Sequence, residues 1–147
     1  MSAMFRQLTD TVFASPQISL DDVAEAARSG FALIINNRPE NEESGQIPGA
    51  AIEAAAKAAG LGYVAIPVTH AGFSEPQVAG MAEALAGSAG GKVLAYCRSG
   101  TRSTLLWALA EASRGESPDG LQEAAAGAGY DLSSIRSLLD MLAARQT

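Results

Sequence analysis

The chain of 147 residues has little of what marks several common protein classes. Lysine and arginine number 10 against 16 acidic residues, and the net charge of −6 argues against non-specific binding to nucleic acid or to anionic membranes. No apolar run approaches the length of a membrane span, and residues 1–6 lack the apolar core of a signal peptide. We therefore predict one domain over residues 1–147, with no nucleic-acid or membrane partner.

Cysteine occurs once, at Cys97. A single cysteine excludes an internal disulfide and any metal cluster built from cysteines alone. It also leaves Cys97 without a resolving cysteine in its own chain. We expect a reducing, cytoplasmic location and a chemistry that uses no metal and no cofactor.

The surroundings of Cys97 predict a nucleophile in an anion-binding loop. Residues 91–95 favour a buried strand and residues 104–112 favour a helix, so Cys97 lies where a strand ends and a helix begins. Backbone N–H groups and the positive end of the helix then point at one spot, which binds an anion and stabilises a thiolate. Arg98 and Arg102 add positive charge suited to an oxyanion. The other candidate anion-binding residues of the loop are Ser99, Gly100, Thr101 and Ser103.

The rest of the chain predicts alternating strands and helices. Strands are expected at 5–8, 12–15, 31–35, 63–68 and 91–95, and helices at 20–28, 50–59, 75–86, 104–112, 119–126 and 132–144. This order is typical of a three-layer α/β fold, a mostly parallel sheet of four or five strands flanked by helices. Ligands bind outside the carboxyl ends of such strands, where the loops 36–46, 69–73 and 97–103 arrive.

Each candidate residue can also be explained by a purely structural role. Cys97 is small and apolar enough to be a core residue. Arg102 can be a surface residue of the first helical turn, although a positive charge there opposes the helix dipole. Arg98 can point to solvent, and His70, the only histidine, can be a loop residue without a catalytic or positioning role. Arg38 can form simple salt bridges in a solvated loop with the acidic residues Glu40, Glu42 and Glu43.

Three segments carry a resemblance to a known family. They are residues 14–18 (Ala-Ser-Pro-Gln-Ile), 35–39 (Ile-Asn-Asn-Arg-Pro) and 96–103 (Tyr-Cys-Arg-Ser-Gly-Thr-Arg-Ser). Together they resemble the phosphatase-like domain of bacterial β-lactamase-hydrolase-like proteins, which occurs alone or fused to a metallo-hydrolase-like persulfide dioxygenase. The resemblance covers residues 5–111. It implies a tyrosine-phosphatase-like fold with Cys97 as nucleophile and Arg102 as the anion-binding arginine, and it places Asn37 and Arg38 near the pocket.

The loop length departs from the pattern of an active phosphatase. Phosphatases of this type have five residues between the cysteine and the arginine, whereas four residues separate Cys97 from Arg102. The shorter loop, with Arg98 directly after the cysteine, is similar to that of the rhodanese sulfurtransferases.

The expected general acid is also missing. In the resembling phosphatases an aspartate closely follows the strand that reads Ile-Pro-Val, but here residues 66–70 read Ile-Pro-Val-Thr-His, and no aspartate occurs between Asp22 and Asp119. Without an acid, the rate of expelling an alkoxide falls by roughly 10²–10⁴. His70 and Glu75 are the candidates to replace it.

Both departures favour sulfur transfer, which needs no such acid. The leading hypothesis is that Cys97 takes sulfane sulfur from thiosulfate or glutathione persulfide, holds it as a persulfide and passes it to an external thiol. The alternative is a phosphomonoester hydrolase that forms a Cys97 phosphoenzyme, with phosphotyrosine as one candidate substrate. A third is a non-catalytic module that binds an anion or a partner. A persulfide dioxygenase is the candidate partner that the resemblance implies.

Overall fold

The computed structural model describes residues 5–88 and 90–145. Residues 1–4, 89, 146 and 147 of the predicted domain lie outside the described residues. The strands are β1 (Arg6–Gln7), β2 (Val12–Ser15), β3 (Phe31–Asn36), β4 (Gly62–Ala65) and β5 (Lys92–Tyr96). The helices are α1 (Leu20–Arg28), α2 (Gly49–Ala58), α3 (Glu75–Gly87), α4 (Thr101–Ser113), α5 (Pro118–Gly127) and α6 (Arg136–Ala144). Within this described part, no helix has the length and apolar character needed to cross a membrane.

The strands form one sheet in the order β1-β2-β5-β3-β4. β1 runs antiparallel to β2, and the other neighbouring strands are parallel. The predicted mostly parallel sheet flanked by helices is therefore confirmed. β5 lies at its centre, between β2 and β3, so both neighbours fix the position at which the strand ends and Cys97 follows.

Helices cover both faces of the sheet. α1 and α2 pack on one face, where Leu94 and Tyr96 of β5 join their core. α3 to α6 pack on the other, where Val93 and Ala95 point. Successive residues of a strand face opposite sides, so β5 is buried on both. α4 is apolar nearly all round and lies at the centre of the second core, which anchors the helix that follows Cys97.

One strand ends earlier than predicted, in a way that shapes the site. The strand expected at 63–68 is regular only to Ala65, because Pro67 has no N–H to continue the ladder. The flanking N–H groups still bond across, Ile66 to the Asn36 carbonyl and Val68 to the Asn37 carbonyl. The chain therefore stays beside β3 while the Val68 carbonyl is left for another donor.

Other boundaries differ for local reasons. α4 begins at Thr101, not at 104, so Arg102 belongs to its first turn. The helix expected at 132–144 is divided into a 3₁₀ turn, Ser133–Ile135, and α6. The Asp131 carboxylate accepts hydrogen bonds from both the N–H and the hydroxyl of Ser133, which favours the tight turn.

Candidate active site

Cys97 directly follows the central strand and is fully buried. Its N–H donates to the Ser15 carbonyl at 3.3 Å, so β2 holds the residue in place. The Gly100 N–H donates to the Cys97 sulfur at 3.1 Å. The loop therefore turns back on itself and directs a backbone donor at the sulfur, as the sequence predicts.

Gly100 makes this turn possible. It has φ of 93° at the N-cap of α4, a conformation that favours glycine. Its carbonyl accepts the hydroxyl of Thr104 at 2.8 Å, which ties the loop to the first turn of the helix. A side chain at this position would also collide with the Tyr130 hydroxyl. The loop thus depends on glycine for both its backbone angle and its space.

Arg102 is held by two other loops of the same sheet edge. Its Nη1 donates to the Glu42 carboxylate and to the Val68 carbonyl, each at 2.7 Å, and its Nη2 donates to the other Glu42 oxygen at 2.8 Å. A guanidinium has five N–H donors. These three bonds leave its Nε–H and one Nη2–H, which form the edge of the group that lies beside the Cys97 sulfur and hydrogen-bonds to it. That edge has the geometry that binds an oxyanion with two hydrogen bonds.

The charge of Arg102 is reinforced by its partners. The hydrogen bonds to Glu42 raise the pKa of Arg102 above its ordinary value, while partial burial opposes this effect. The charge of the neighbouring Cys97 sulfur and a hydrogen bond to it raise the pKa further. The guanidinium therefore lies beside the sulfur as a fixed positive charge.

Glu42 is the carboxylate that Arg102 contacts, and it is ionised. Its hydrogen bonds to Arg102 and then to Arg38 lower its pKa to about 2, against the opposing effect of burial. At neutral pH such a group has no proton to give. Glu42 therefore orients Arg102 and does not serve as a general acid.

Arg38 is buried, in contrast to a salt-bridged residue of a solvated loop. Its Nε donates to Glu42 at 2.8 Å, its Nη1 to the side-chain oxygen of Gln17 at 3.0 Å and its Nη2 to Glu43 at 2.9 Å. Glu43 also pairs with Arg98 at 3.2 Å, although the Arg98 side chain is 64% exposed. The predicted residues Arg38, Arg98 and Arg102 are thus joined into one network by two glutamates.

Asn37 and Ser103 form a buried pair beneath the loop. The Ser103 hydroxyl donates to the Asn37 side-chain oxygen at 2.7 Å, and the Asn37 amide donates to the Ile66 carbonyl at 2.9 Å. A serine hydroxyl has a single proton, so the Ser103 side chain has no donor left for an anion. The Ser103 side chain therefore joins α4 to the loop after β3, and the role of this residue in anion binding stays a prediction.

Ser99 and Thr101 lie at the exposed surface of the loop. Their hydroxyls bond to one another at 3.0 Å, and the Ser99 hydroxyl also accepts the Thr101 N–H at 3.3 Å. The Ser99 carbonyl accepts a hydrogen bond from the Tyr130 phenol at 3.1 Å. Both hydroxyls are therefore placed at the surface of the loop, and their role in anion binding stays a prediction.

The two candidate acids are not brought into this network. His70 is exposed in the turn after Val68, and within residues 5–88 and 90–145 its imidazole makes no hydrogen bond to the Cys97 loop. The Glu75 side chain is 92% exposed and faces Arg145 at 3.8 Å, on the surface of α6. A catalytic role for His70 stays a prediction, and the structure gives Glu75 a different partner.

Sequence reasoning missed two contributors to the site. The sequence predicts Glu42 only as a salt-bridge partner of Arg38, and it indicates no role for Tyr130. Neither carries a local signal, because each reaches the loop from a distant part of the chain. Gln17, which accepts a hydrogen bond from Arg38, could have been suspected from the sequence, since it lies in the 14–18 segment that resembles the family.

Comparison with known proteins identifies the scaffold. Residues 4–114 match the family described as "Beta-lactamase hydrolase-like protein, phosphatase-like domain". The chain belongs to this family. A β-lactamase hydrolase-like protein of Xylella fastidiosa is 38% identical over 104 residues, which is 71% of this chain and 24% of that protein. The chain thus spans about a quarter of the length of the curated relatives it matches.

Solved structures agree with this family. A candidate phosphatase of Neisseria meningitidis is 35% identical, with a TM-score of 0.80, over 95% of this chain and 98% of that one. Tk-PTP in its active form is 21% identical, with a TM-score of 0.70, over 99% of each chain, and at this identity the likeness shows the fold alone. The predicted tyrosine-phosphatase-like fold is confirmed, and the family member has a phosphatase-like scaffold with a cysteine after its central strand.

Proposed function

We propose that this family member is an enzyme whose Cys97 thiolate accepts sulfane sulfur from a small anionic donor and passes it to an external thiol. The observation that carries the proposal is the pairing of Arg102 with Glu42. It leaves one donor edge of the guanidinium beside the sulfur, and it keeps the Glu42 carboxylate ionised. The site is therefore equipped to bind an anion and to stabilise negative charge, without a proton donor for a poor leaving group.

Both steps of sulfur transfer can be written with the Cys97 thiolate, the donor and the acceptor thiol alone, without an oxidant or a reductant. The Cys97 thiolate attacks the outer sulfur of thiosulfate, forming an S–S bond while the S–S bond of the donor breaks and sulfite leaves with the electron pair. The product is a Cys97 persulfide, whose terminal sulfur carries the negative charge. An external thiolate then attacks that terminal sulfur and regenerates the Cys97 thiolate. Neither step needs a general acid, because sulfite and thiolates are good leaving groups.

The short loop also supports a small transferred group. The Gly100 N–H is bonded to the Cys97 sulfur, and the Thr101 N–H to the Ser99 hydroxyl. Two N–H donors of the loop are thus already engaged, one of them by the sulfur itself. A phosphoryl group needs donors for three oxygens in its transition state, whereas a persulfide adds one atom. The loop suits the single added sulfur better.

Phosphomonoester hydrolysis is the second candidate, and the scaffold favours it. The family and the solved structures that share the fold are phosphatase-like. In that reaction the Cys97 thiolate attacks phosphorus and the ester oxygen leaves, and water then cleaves the phosphoenzyme. With Glu42 ionised, we expect such activity only on esters whose leaving group departs without a proton, such as activated aryl phosphates.

The proposal implies a cellular setting. The persulfide needs a small thiol as acceptor, because the chain has no second cysteine. A reducing, cytoplasmic location supplies such a thiol and keeps Cys97 free. A persulfide dioxygenase is a suitable partner, because it consumes the persulfide that the transfer produces.

Parallel turnover assays test the proposal. Thiosulfate with cyanide or a thiol should give steady turnover, and unactivated alkyl phosphates should not. Cys97→Ser should abolish turnover while the protein still binds the anion, which separates an enzyme from a non-catalytic binding module. Efficient hydrolysis of unactivated phosphate esters, with no sulfur transfer, would contradict the proposal.

A further inference from the structure

Tyr130 contacts the Cys97 loop from beyond residue 114, where the family match ends. Its phenol donates to the Ser99 carbonyl at 3.1 Å. The same peptide unit carries the Gly100 N–H, which donates to the Cys97 sulfur at 3.1 Å. The C=O and N–H of a trans peptide point in opposite directions. One peptide is thus held between the phenol and the sulfur.

We propose that Tyr130 is a positioning residue for the nucleophile. By binding the Ser99 carbonyl, it keeps the Ser99–Gly100 peptide oriented with its N–H directed at Cys97. The inference rests on the proposed use of Cys97 as a nucleophile, and it holds whichever group the sulfur accepts.

Glycine is the reason that this peptide needs a partner. Gly100 has φ of 93°, and a glycine adopts either sign of φ at little cost. Rotation of the Ser99–Gly100 peptide would direct the carbonyl oxygen at the sulfur, where it would repel a thiolate. A hydrogen bond on the carbonyl opposes this rotation. It also polarises the peptide and so strengthens the N–H as a donor.

Tyr130 is itself held by the surrounding structure. The guanidinium of Arg6 lies over its ring, 5.5 Å from the centroid, and Nη1 of Arg6 donates to the Ala128 carbonyl at 3.1 Å. Gly129 leaves room for this contact, since a Cβ there would lie 2.7 Å from the Arg6 Nη1. The start of the sheet and the end of α5 therefore fix the ring against the loop.

The phenol remains a donor through the neutral range. Burial raises the pKa of Tyr130 above its ordinary value, although the charge of Arg6 opposes the shift. The charged group that faces the sulfur is Arg102, which is paired with Glu42. Neither contacts the phenol through any hydrogen bond within the described residues 5–88 and 90–145. The hydroxyl of Tyr130 can therefore be removed without breaking the arginine network.

Alkylation of Cys97 by iodoacetamide tests the inference without any substrate. Because the sulfur is buried, the ultraviolet absorbance of the thiolate is followed in parallel, which separates ionisation of the sulfur from access to it. Because Cys97 is the only cysteine, a mass increment that Cys97→Ser does not show reports its modification alone. Tyr130→Phe keeps the ring and loses one hydrogen bond, so we expect alkylation at pH 7 to slow by about five- to tenfold. The difference should shrink at pH 9, where a thiol ionises without help. The melting temperature should fall by no more than a few degrees.

Two further variants complete the experiment. Tyr63→Phe removes a phenol that accepts a hydrogen bond from the Asn36 side-chain amide at 3.0 Å, away from the Cys97 loop, and it should alkylate as the unmodified protein does. Arg6→Met loosens the Tyr130 ring without touching the loop and should slow alkylation about two- to fivefold, which keeps the inference testable if Tyr130→Phe folds poorly. Unchanged or faster alkylation of Tyr130→Phe at pH 7 with an unchanged thiolate absorbance, or equal slowing in Tyr63→Phe, would overturn the inference. If the unmodified protein shows no sulfur transfer while the variants alkylate as expected, the proposed function is wrong and the role of Tyr130 still holds.

Discussion

Glu42 binds Arg102 through both carboxylate oxygens, at 2.7 and 2.8 Å, across a separation of 60 positions in the chain. The pair joins the loop after β3 to the first turn of α4, and it determines which edge of the guanidinium faces the sulfur. Its side chains are 16% and 19% exposed, so water screens the interaction only in part. The reactivity of Cys97 should therefore depend on Glu42.

Glu42→Gln should lower both activity and stability. The neutral amide cannot accept two charged hydrogen bonds, so Arg102 loses its fixed orientation, and we expect kcat/KM to fall by about 10- to 100-fold. The free energy of unfolding should fall by about 1–3 kcal/mol, because Arg38 loses the same partner. Steady-state kinetics and urea unfolding measure the two effects. Glu25→Gln, which breaks an exposed ion pair with Arg28, is the matched control and should change neither quantity by much.

The stabilisation from Glu42 should depend on pH with a defined sign. The pKa of Glu42 is about 2 in the folded protein against an ordinary value of 4.5, so the ionised group stabilises the fold fully above pH 4.5. This contribution is lost as the pH falls from 4.5 towards 2. Urea unfolding at a series of pH values should show the difference between the native protein and Glu42→Gln shrinking over that range. A difference that stays constant down to pH 3 would show that the pair contributes through shape alone.

The two arginines of the loop should respond differently to conservative replacement. Arg102→Lys cannot reproduce the bonds to Glu42 and Val68 and still present an edge to an anion, so we expect a loss of about 10²- to 10⁴-fold in kcat/KM. Arg98→Lys changes a side chain that is 64% exposed with one contact to Glu43, and its loss should stay below about tenfold. Equal losses in both variants would mean that Arg98 also binds the substrate.

Ser103→Ala separates a structural role from a substrate contact. The change leaves the buried side-chain oxygen of Asn37 without its 2.7 Å donor, so unfolding should become easier by about 1–3 kcal/mol. The KM for the anionic substrate should change less than twofold, because the hydroxyl proton is already used. Chemical unfolding and KM are the two measurements. A large rise in KM with unchanged stability would show that the Ser103 hydroxyl contacts the substrate instead.

The position of Cys97 could be predicted from the sequence because its signals are local. An apolar strand before the loop, a helix former after it and arginines within it place the residue at the carboxyl edge of a parallel sheet. Even there, α4 begins three residues earlier than the sequence predicts, since Gly100 caps the helix without a side-chain signal.

The contacts that hold Arg102 could not be predicted in the same way. They depend on the path of the loop after Arg38, in which Asn41 has φ of 60° and Gly45 has φ of 82°, and no periodic pattern reports such angles. The sequence shows that Pro67 interrupts its strand. It does not show that the Val68 carbonyl then accepts a hydrogen bond from Arg102, because that contact depends on how two loops meet. Tyr130 reaches the loop through tertiary packing after the motif has ended.

The intact mass of the protein after incubation with thiosulfate tests the central claim most directly, with an aryl phosphate as the parallel incubation. Covalent catalysis by sulfur transfer predicts an increment of about 32 Da, one sulfur atom, that dithiothreitol removes and that Cys97→Ser never shows. The absence of this adduct, together with steady hydrolysis of the phosphate ester, would contradict the account and show that the short loop serves as a phosphatase cradle.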